Sequence, residues 1–354
     1  MMHQNIHYIE QDLVLLGGGH SHVIALKMFA MNALPGVRIT LITDYSDSPY
    51  SGMLPGHIAG FYTRDECHID LRKLASFART RLYIDSVTDI DLQNNLVICK
   101  NRPDVSFDLL SIDIGSTPAT ISVPGATKYA IPAKPVGNLL RSWYELVNHV
   151  RENPRKPVKI AIVGGGAGGV ELALSMQGNL QQYNPNLEIH LFGRDKQLMP
   201  NANPILGNLL GSIIIERGIK LHLGETVCKV ARDEDIQISN VICESGLLVK
   251  CNYIFWVTQA SAPEWLKKTG ISTSERGFIL VNDYLQSLSH SNVFAAGDIA
   301  TMKNHPRAKA GVFAVRQGKP LFENLRRCLL GTNLKKFVPQ KDYLSLIGTG
   351  DGSA

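Results

Sequence analysis

Residues 158 to 176, VKIAIVGGGAGGVELALSM, constrain this chain more than any other stretch. A β-branched apolar run meets Gly164-x-Gly166-x-x-Gly169 and then a sequence with the apolar face of a helix. Each glycine has its own physical task in such a loop. Gly164 permits a tight turn, Gly166 lets a pyrophosphate approach the backbone, and Gly169 lets helix and strand pack closely. Ala167 and Gly168 open the helix, whose first N–H groups have no intrahelical acceptor and so favour an anion. A glycine loop alone is weak evidence, but here LEIHLF at 187 to 192 reads as a following strand and completes a βαβ unit. The stretch predicts a Rossmann-type dinucleotide site.

A second, imperfect copy lies at residues 12 to 29, DLVLLGGGHSHVIALKMF. It holds Gly17-x-Gly19, followed by His20 and Ser21, but His22 stands where a third glycine belongs. The next apolar run, VRITLITD at 37 to 44, again reads as the second strand of a βαβ unit. Two such units predict an α/β protein with two Rossmann-like dinucleotide-binding domains. Gly17, Gly19, His20, Ser21 and His22 are then candidate contacts to the cofactor of the first. For His22 two readings stay open: the helix packs less closely on its strand, or the imidazole reaches a phosphate. Tolerated loop histidines are the plainer account of His20 and His22.

Length and composition agree with two soluble domains. The chain has 354 residues, 44% hydrophobic and 19% charged, which excludes a disordered or fibrous class. A net charge of +5 with no dense basic block gives no reason to expect nucleic acid. MMHQNIHYIEQ lacks the features of a signal peptide, and nowhere do about 18 apolar residues run together, so a cytoplasmic protein without membrane insertion is expected. The six cysteines, at 67, 99, 228, 243, 251 and 328, form no C-x-x-C. No zinc, no other metal and no dithiol centre is expected.

The stretch ILVNDYLQSLSHSNVFAAGDIA at 279 to 300 ends a short strand in Gly297-Asp298. With the two glycine loops, it resembles the second FAD motif of the two-dinucleotide flavoproteins, the pyridine nucleotide-disulfide oxidoreductase family. The resemblance runs from Leu13 to about Leu346 and includes DLLSIDIGSTP at 108 to 118, similar to the family's strand returning to the FAD domain. It implies an NAD(P) domain inserted in the FAD domain. The implied parts are FAD-binding residues 1–133, an inserted NAD(P)-binding domain 134–262, the second FAD half 263–332, and the start of a truncated interface domain at 333–354. Glu225 to Val257, with turns at Asp233 to Asp235 and Ser245-Gly246, fits a β-meander in the inserted domain. By the same resemblance, the Asp298 carboxylate binds ribityl hydroxyls and Gly297 brings the backbone near FAD. Ser51, Gly52, Met53 and Pro55 line the flavin. Phe313 and Gln317 lie on a helix pointing its N-terminus at the isoalloxazine. Glu171 lies near nicotinamide and flavin and pairs with Lys134, both being the implied catalytic candidates.

The disulfide reductases of that family carry two closely spaced cysteines, and this chain has none. It is closer in pattern to flavin-only members, the type-two NADH:quinone dehydrogenases and sulfide:quinone oxidoreductases. PYSGMLPGHIAGFY at 49 to 62, AGVFAVRQGKPL at 310 to 321 and FVPQKDYLSLIGTGDG at 337 to 352 resemble more narrowly the flavoprotein domain fused ahead of selenide, water dikinase. KDYLSLIGTGDGSA reads as a strand and a turn into a missing partner. The implied activity is hydride transfer from NADPH or NADH to FAD, then to a quinone or a sulfur or selenium compound. A fused or separate dikinase domain, a homodimer, and peripheral membrane contact by a full-length protein belong to the same expectation. Two alternatives stand beside it. His22, Gln259 in place of a usual glycine, and the shortened end would suit a regulatory FAD-binding module. Cys67 in ECHID would serve a sulfide or polysulfide oxidoreductase. Finally, EIHLFGRDKQLMP at 188 to 200 lacks an acidic residue at Gly193 and offers Arg194, whose planar donor fork suits a 2′-phosphate, which predicts a modest preference for NADPH.

Overall fold

The computed structural model describes residues 8–118, 123–233, 238–258 and 260–354. Contacts divide the chain into two compact units, one comprising residues up to Tyr50, His68–Ser116 and Ser261–Tyr343, the other Ser51–Cys67, Thr117–Ala260 and Leu344–Ala354.

The first unit is built on a five-stranded parallel sheet, in the order Val293–Ala295, Leu109–Ile112, Gln11–Leu16, Val37–Thr43, Arg81–Ile84. Leu13 to Leu16 are all buried, as a central parallel strand covered on both faces requires, and this is why that run does not alternate with polar residues. The His20–Met31 helix packs on the Gly311–Leu329 helix with Phe29 edge-on to Phe322. Close approach there depends on Gly318, where a Cβ would stand 2.6 Å from the Ile24 side chain.

The second unit has its own five-stranded parallel sheet, in the order Ile131–Pro132, Tyr253–Trp256, Val158–Val163, Leu187–Gly193, Lys220–Leu223. The strand period of two separates its faces. Ile160, Ile162, Ile189 and Leu191 enter one core with the Val136–Glu152 and Ala167–Leu180 helices. Ala161, Val163 and Phe192 enter another, beneath an antiparallel meander of Val227–Asp233, Ile238–Cys243 and Leu248–Cys251. The expected turn at Asp233 to Asp235 and the departure at Gln259 lie in part or wholly outside the described residues.

The units do not follow the expected boundaries. Residues 51–67 were expected with the first glycine loop and 333–354 as a separate beginning, yet Ser51–Cys67 and Leu344–Ala354 both belong to the second unit. The reason is apolar burial: Ile58, fully buried, and Ile347, 6% exposed, enter the core around the Ala167–Leu180 helix. The segment after Tyr343 forms no strand. It is held along the helix instead, so closely that a Cβ on Gly178 would stand 2.5 Å from Gly350 O and one on Gly350 would stand 2.4 Å from Leu174 O.

Candidate functional site

Both glycine loops sit at the C-terminal end of a central parallel strand, where helix N-termini converge and open α/β sheets bind ligands. In the second unit the three glycines differ as their backbones require. Gly164 has φ +137°, a conformation closed to most side chains, and its N–H donates to Phe192 O at 2.8 Å. Gly169 packs against that turn so tightly that a Cβ would lie 1.8 Å from Gly164 O. Gly166 is extended, with φ −83° and ψ −179°, and a Cβ there would meet nothing within 4 Å. That open space beside the first N–H groups of the Ala167–Leu180 helix is what a dinucleotide pyrophosphate needs. Gly168 is exposed on the same turn.

Arg194 and Asp195 follow the Leu187–Gly193 strand. Their side chains are 64% and 44% exposed and 3.9 Å apart, a loose pair that leaves the guanidinium accessible. Gly193 is buried, and a Cβ would press on Leu223 at 3.1 Å. Glu171, on the second turn of the helix, accepts a 3.0 Å hydrogen bond from the Gly348 N–H, and burial raises its carboxyl above the ordinary range. Lys134 is half-buried just before the Val136–Glu152 helix. Ser51, Gly52 and Met53 form the turn into the Leu54–Ala59 helix, with Pro55 in its first turn; Ser51 and Gly52 are exposed. Cys67 is 2% exposed, its thiol donates to Arg64 O at 3.3 Å, and burial pushes its pKa up, the reverse of what an attacking thiolate needs. The sulfur-chemistry alternative therefore finds no activated thiol at this position.

In the first unit the imperfect loop is explained by its own side chains. Gly17, φ +95°, turns the chain, and a Cβ there would strike Asp113 O at 2.3 Å. His22 is fully buried. Its Nδ1 lies 2.7 Å from Gly17 O, which can only accept, so Nδ1 carries the proton; Nε2 then accepts from Ser111 Oγ at 2.8 Å. Burial lowers its pKa to about 4, so the ring is neutral at physiological pH. Both ring nitrogens are committed inside the protein, which leaves none for a phosphate; the imidazole instead stands between helix and sheet where a glycine would let them touch, the first of the two sequence readings, and its hydrogen bonds tie the two together. His20 is different. Its ring stacks at a tilt on Tyr50, 5.0 Å between centroids, and its Nε2 is buried without a hydrogen-bond partner. Such an orphaned polar atom on a phosphate-type loop fits a ligand.

Gly297 and Asp298 form a turn of 3-10 helix directly after the Val293–Ala295 strand. Gln317 acts on that turn rather than outward through its oxygen, since its Oε1 accepts the Gly297 N–H at 2.7 Å. The Asp298 carboxylate accepts from Ser116 Oγ at 3.3 Å. Phe313 is buried near the N-terminus of the Gly311–Leu329 helix, edge-on to Tyr343 at 5.1 Å. Ser21 Oγ donates to Ala314 O at 2.7 Å, fastening the glycine loop to the same helix.

One residue of this site escaped the sequence reading. Asp113 lies within the quoted DLLSIDIGSTP, 2% exposed, and its Oδ2 accepts from Ser21 N–H at 2.9 Å and His22 N–H at 3.3 Å. A Cβ on Gly19 or on Gly297 would stand 2.2 Å from its carboxyl. Both motifs therefore carry glycine because this side chain fills the space between them. No local pattern marks it: one acidic residue after the LLSI strand reads like any strand end until the fold brings Gly19 and Gly297 against it.

The neutrality of His22 has a measurable consequence. Unfolded, a histidine titrates near 6.5; folded, this one titrates near 4, so it opposes folding as pH falls below about 6.5. A His22→Gln variant lacks that penalty, and its stability relative to the parent is expected to rise by about 1.5 kcal/mol between pH 6.5 and pH 5. Urea unfolding of both proteins at the two pH values measures it; a constant difference would contradict the burial of an uncharged ring.

Comparison with known proteins agrees with this geometry. Residues 11–318 match the family model for pyridine nucleotide-disulphide oxidoreductase, and the chain belongs to that family. It is 27% identical to Ferroptosis suppressor protein 1 of Xenopus laevis, over 96% of this chain and 87% of that protein, and 28% identical to an NADH oxidase of Enterococcus faecalis, over 88% and 70%. The sulfide:quinone oxidoreductase of Aquifex aeolicus shares the fold, with a TM-score of 0.75 at 17% identity over 96% of this chain and 82% of that one. The protein is a flavin oxidoreductase of this family, with FAD and a nicotinamide nucleotide as cofactors. Among the described residues, no helix is long and apolar enough to cross a membrane and no three or more ligating side chains converge as a metal site would need.

Proposed function

We propose that the first unit holds FAD, that the second holds NAD(P)H, and that hydride passes from the nicotinamide to the flavin and electrons then to an organic acceptor. The observation that carries the assignment is the pair of loops: one leaves open space at Gly166, the other presents the orphaned Nε2 of His20. When bound, FAD supplies the two-electron chemistry; the protein supplies orientation and electrostatics. Asp298 accepts hydrogen bonds from ribityl hydroxyls, and Gln317 holds Gly297 so that this carboxylate is fixed. The N-terminus of the Gly311–Leu329 helix favours negative charge on the flavin ring. Glu171, its carboxyl raised by burial and bonded to the Gly348 N–H, is the group we assign to proton transfer as the acceptor is reduced. Lys134 supplies positive charge toward the same chemistry.

A quinone leads the acceptor classes, ahead of sulfur or selenium compounds, because Cys67 is buried and unactivated. Reduced protein mixed anaerobically with a short-chain quinone, a polysulfide and selenite, and followed at the flavin band, tests this. Fast reoxidation by the quinone alone is expected; oxidation only by the sulfur or selenium compound would overturn the ranking.

Coenzyme choice follows from the exposed Arg194 and the absence of an acidic side chain at Gly193. The unmodified protein is expected to show a several-fold higher kcat/KM with NADPH than with NADH, and Arg194→Glu is expected to reverse the ratio by about tenfold or more, since a carboxylate repels a 2′-phosphate and accepts from a 2′-hydroxyl. Equal use of both nucleotides, unchanged by the substitution, would show that this loop does not read the 2′ position.

A further inference from the structure

The group in the first unit with no role in the chemistry above is the carboxyl of Asp113. It closes on both motifs at once, against Gly19 and Gly297, and takes up the N–H groups of Ser21 and His22. Those are first-turn donors of the His20–Met31 helix, the kind of donor that a phosphate at a helix N-terminus uses. The titratable groups around it are few. The helix contributes His20, and His22 whose ring is neutral and doubly bonded; the 3-10 turn contributes the Asp298 carboxylate. The Leu109–Ile112 strand presents Ser111, and the Gly311–Leu329 helix presents Gln317, both uncharged. Lys309, just before that helix, is bonded to Ala300 O and Thr301 Oγ1, and Arg316 is exposed. Among the described residues, no cation forms an ion pair with Asp113.

We propose that Asp113 takes up a proton from solvent as the first unit binds FAD, so that carboxylate and pyrophosphate do not meet as two anions at one helix N-terminus. The inference rests on the reading that this unit holds FAD. Burial first, and then the neighbouring Asp298 charge, raise the Asp113 pKa to about 7, against the pull of the Ser21 and His22 N–H bonds, so the free protein is half-protonated near neutrality. An anion bound beside it raises that pKa further. Below pH 7 the proton is already in place and affinity is independent of pH. Above pH 7 a proton must be acquired with the ligand, and the Kd for FAD rises by up to about tenfold per pH unit. His20, whose pKa burial lowers, is the other titratable side chain on this loop; Asp113→Asn leaves it in place, so the variant separates the two.

The test uses the apoprotein of the full chain and FAD itself. The Kd from fluorescence quenching is expected to be flat from pH 6 to 7 and to weaken by about tenfold between pH 8 and 9, while calorimetry at pH 8 in two buffers of different ionisation heat reports close to one proton taken up per FAD. Asp113→Asn, which keeps an acceptor oxygen for Ser21 and His22, is expected to bind FAD with no slope and no proton uptake. A parent Kd independent of pH, or a slope that persists in Asp113→Asn, overturns the proposal. Should that variant fail to fold, proton uptake by the parent decides: none at pH 8 overturns it. A protein that binds no FAD at any pH gives a separate result, which overturns the assignment of FAD to this unit together with the proposal.

Discussion

Replacing Gly166 by valine is expected to raise the KM for the nicotinamide nucleotide about 100-fold while leaving the fold and the FAD content unchanged. The substitution separates binding from folding because of its backbone. At φ −83° and ψ −179° any L-residue is comfortable, and the space a side chain would enter holds no protein atom within 4 Å. The valine therefore costs the free protein almost nothing. It fills the space where a pyrophosphate would approach the N–H groups at the start of the Ala167–Leu180 helix, and those donors are lost to the ligand. Steady-state kinetics with both nucleotides, alongside thermal unfolding, measures the two effects independently. An unchanged KM would show that the nucleotide does not use this loop.

Three residues on, the expectation inverts. Gly169→Ala adds one methyl group at 1.8 Å from Gly164 O, and the obstructing atom is backbone in the turn of the same motif. A side chain could swing aside, but this carbonyl cannot move without opening the loop that Gly164 makes at φ +137°. Overpacking of this kind exceeds the usual range of about 1–3 kcal/mol, and we expect a loss of about 4 kcal/mol from the second unit, or a fall of about 10 °C in its Tm. Gly168→Ala is the control. Its Cβ would meet only the Val257 side chain, at 3.3 Å on exposed backbone, and its Tm is expected to move by less than about 2 °C. Calorimetric scans of the two variants that coincided would show that Gly169 is not the close-packing position.

These two glycines were legible in the sequence because the motif is local: strand, turn and helix are contiguous, and each position has one physical requirement. The first loop was legible only as an incomplete copy. What makes His22 acceptable is Ser111, far along the chain, whose hydroxyl satisfies Nε2 while Gly17 O takes the Nδ1 proton. No periodicity or spacing marks such a pairing. Asp113 was hidden for the same reason. A single acidic residue at a strand end has no local signature, and its part becomes visible only when the missing Cβ atoms of Gly19 and Gly297 are found against one carboxyl. The ends of the second unit show the limit again. PYSGMLPGHIAGFY and LSLIGTGDG read as pieces of other domains, yet Ile58 and Ile347 bury themselves with the Ala167–Leu180 helix, and Gly348 hydrogen-bonds Glu171. Strand patterning in the final segment was misleading, since its backbone is held by the helix and by Arg217, which donates to Thr349 O at 2.7 Å, and not by a partner strand.

Everything proposed for the two loops turns on hydride from a nicotinamide nucleotide reaching FAD within this chain. Its most direct measurement is anaerobic mixing of the FAD-loaded protein with NADPH, from one equivalent to a large excess, followed at the flavin absorption band in a stopped-flow instrument. Full bleaching of the band in a single turnover is expected, with an observed rate that saturates in nucleotide and is lost in the Gly166→Val variant at the same concentration. A band that stays oxidised with both NADPH and NADH, in protein shown to bind both FAD and the nucleotide, would contradict it.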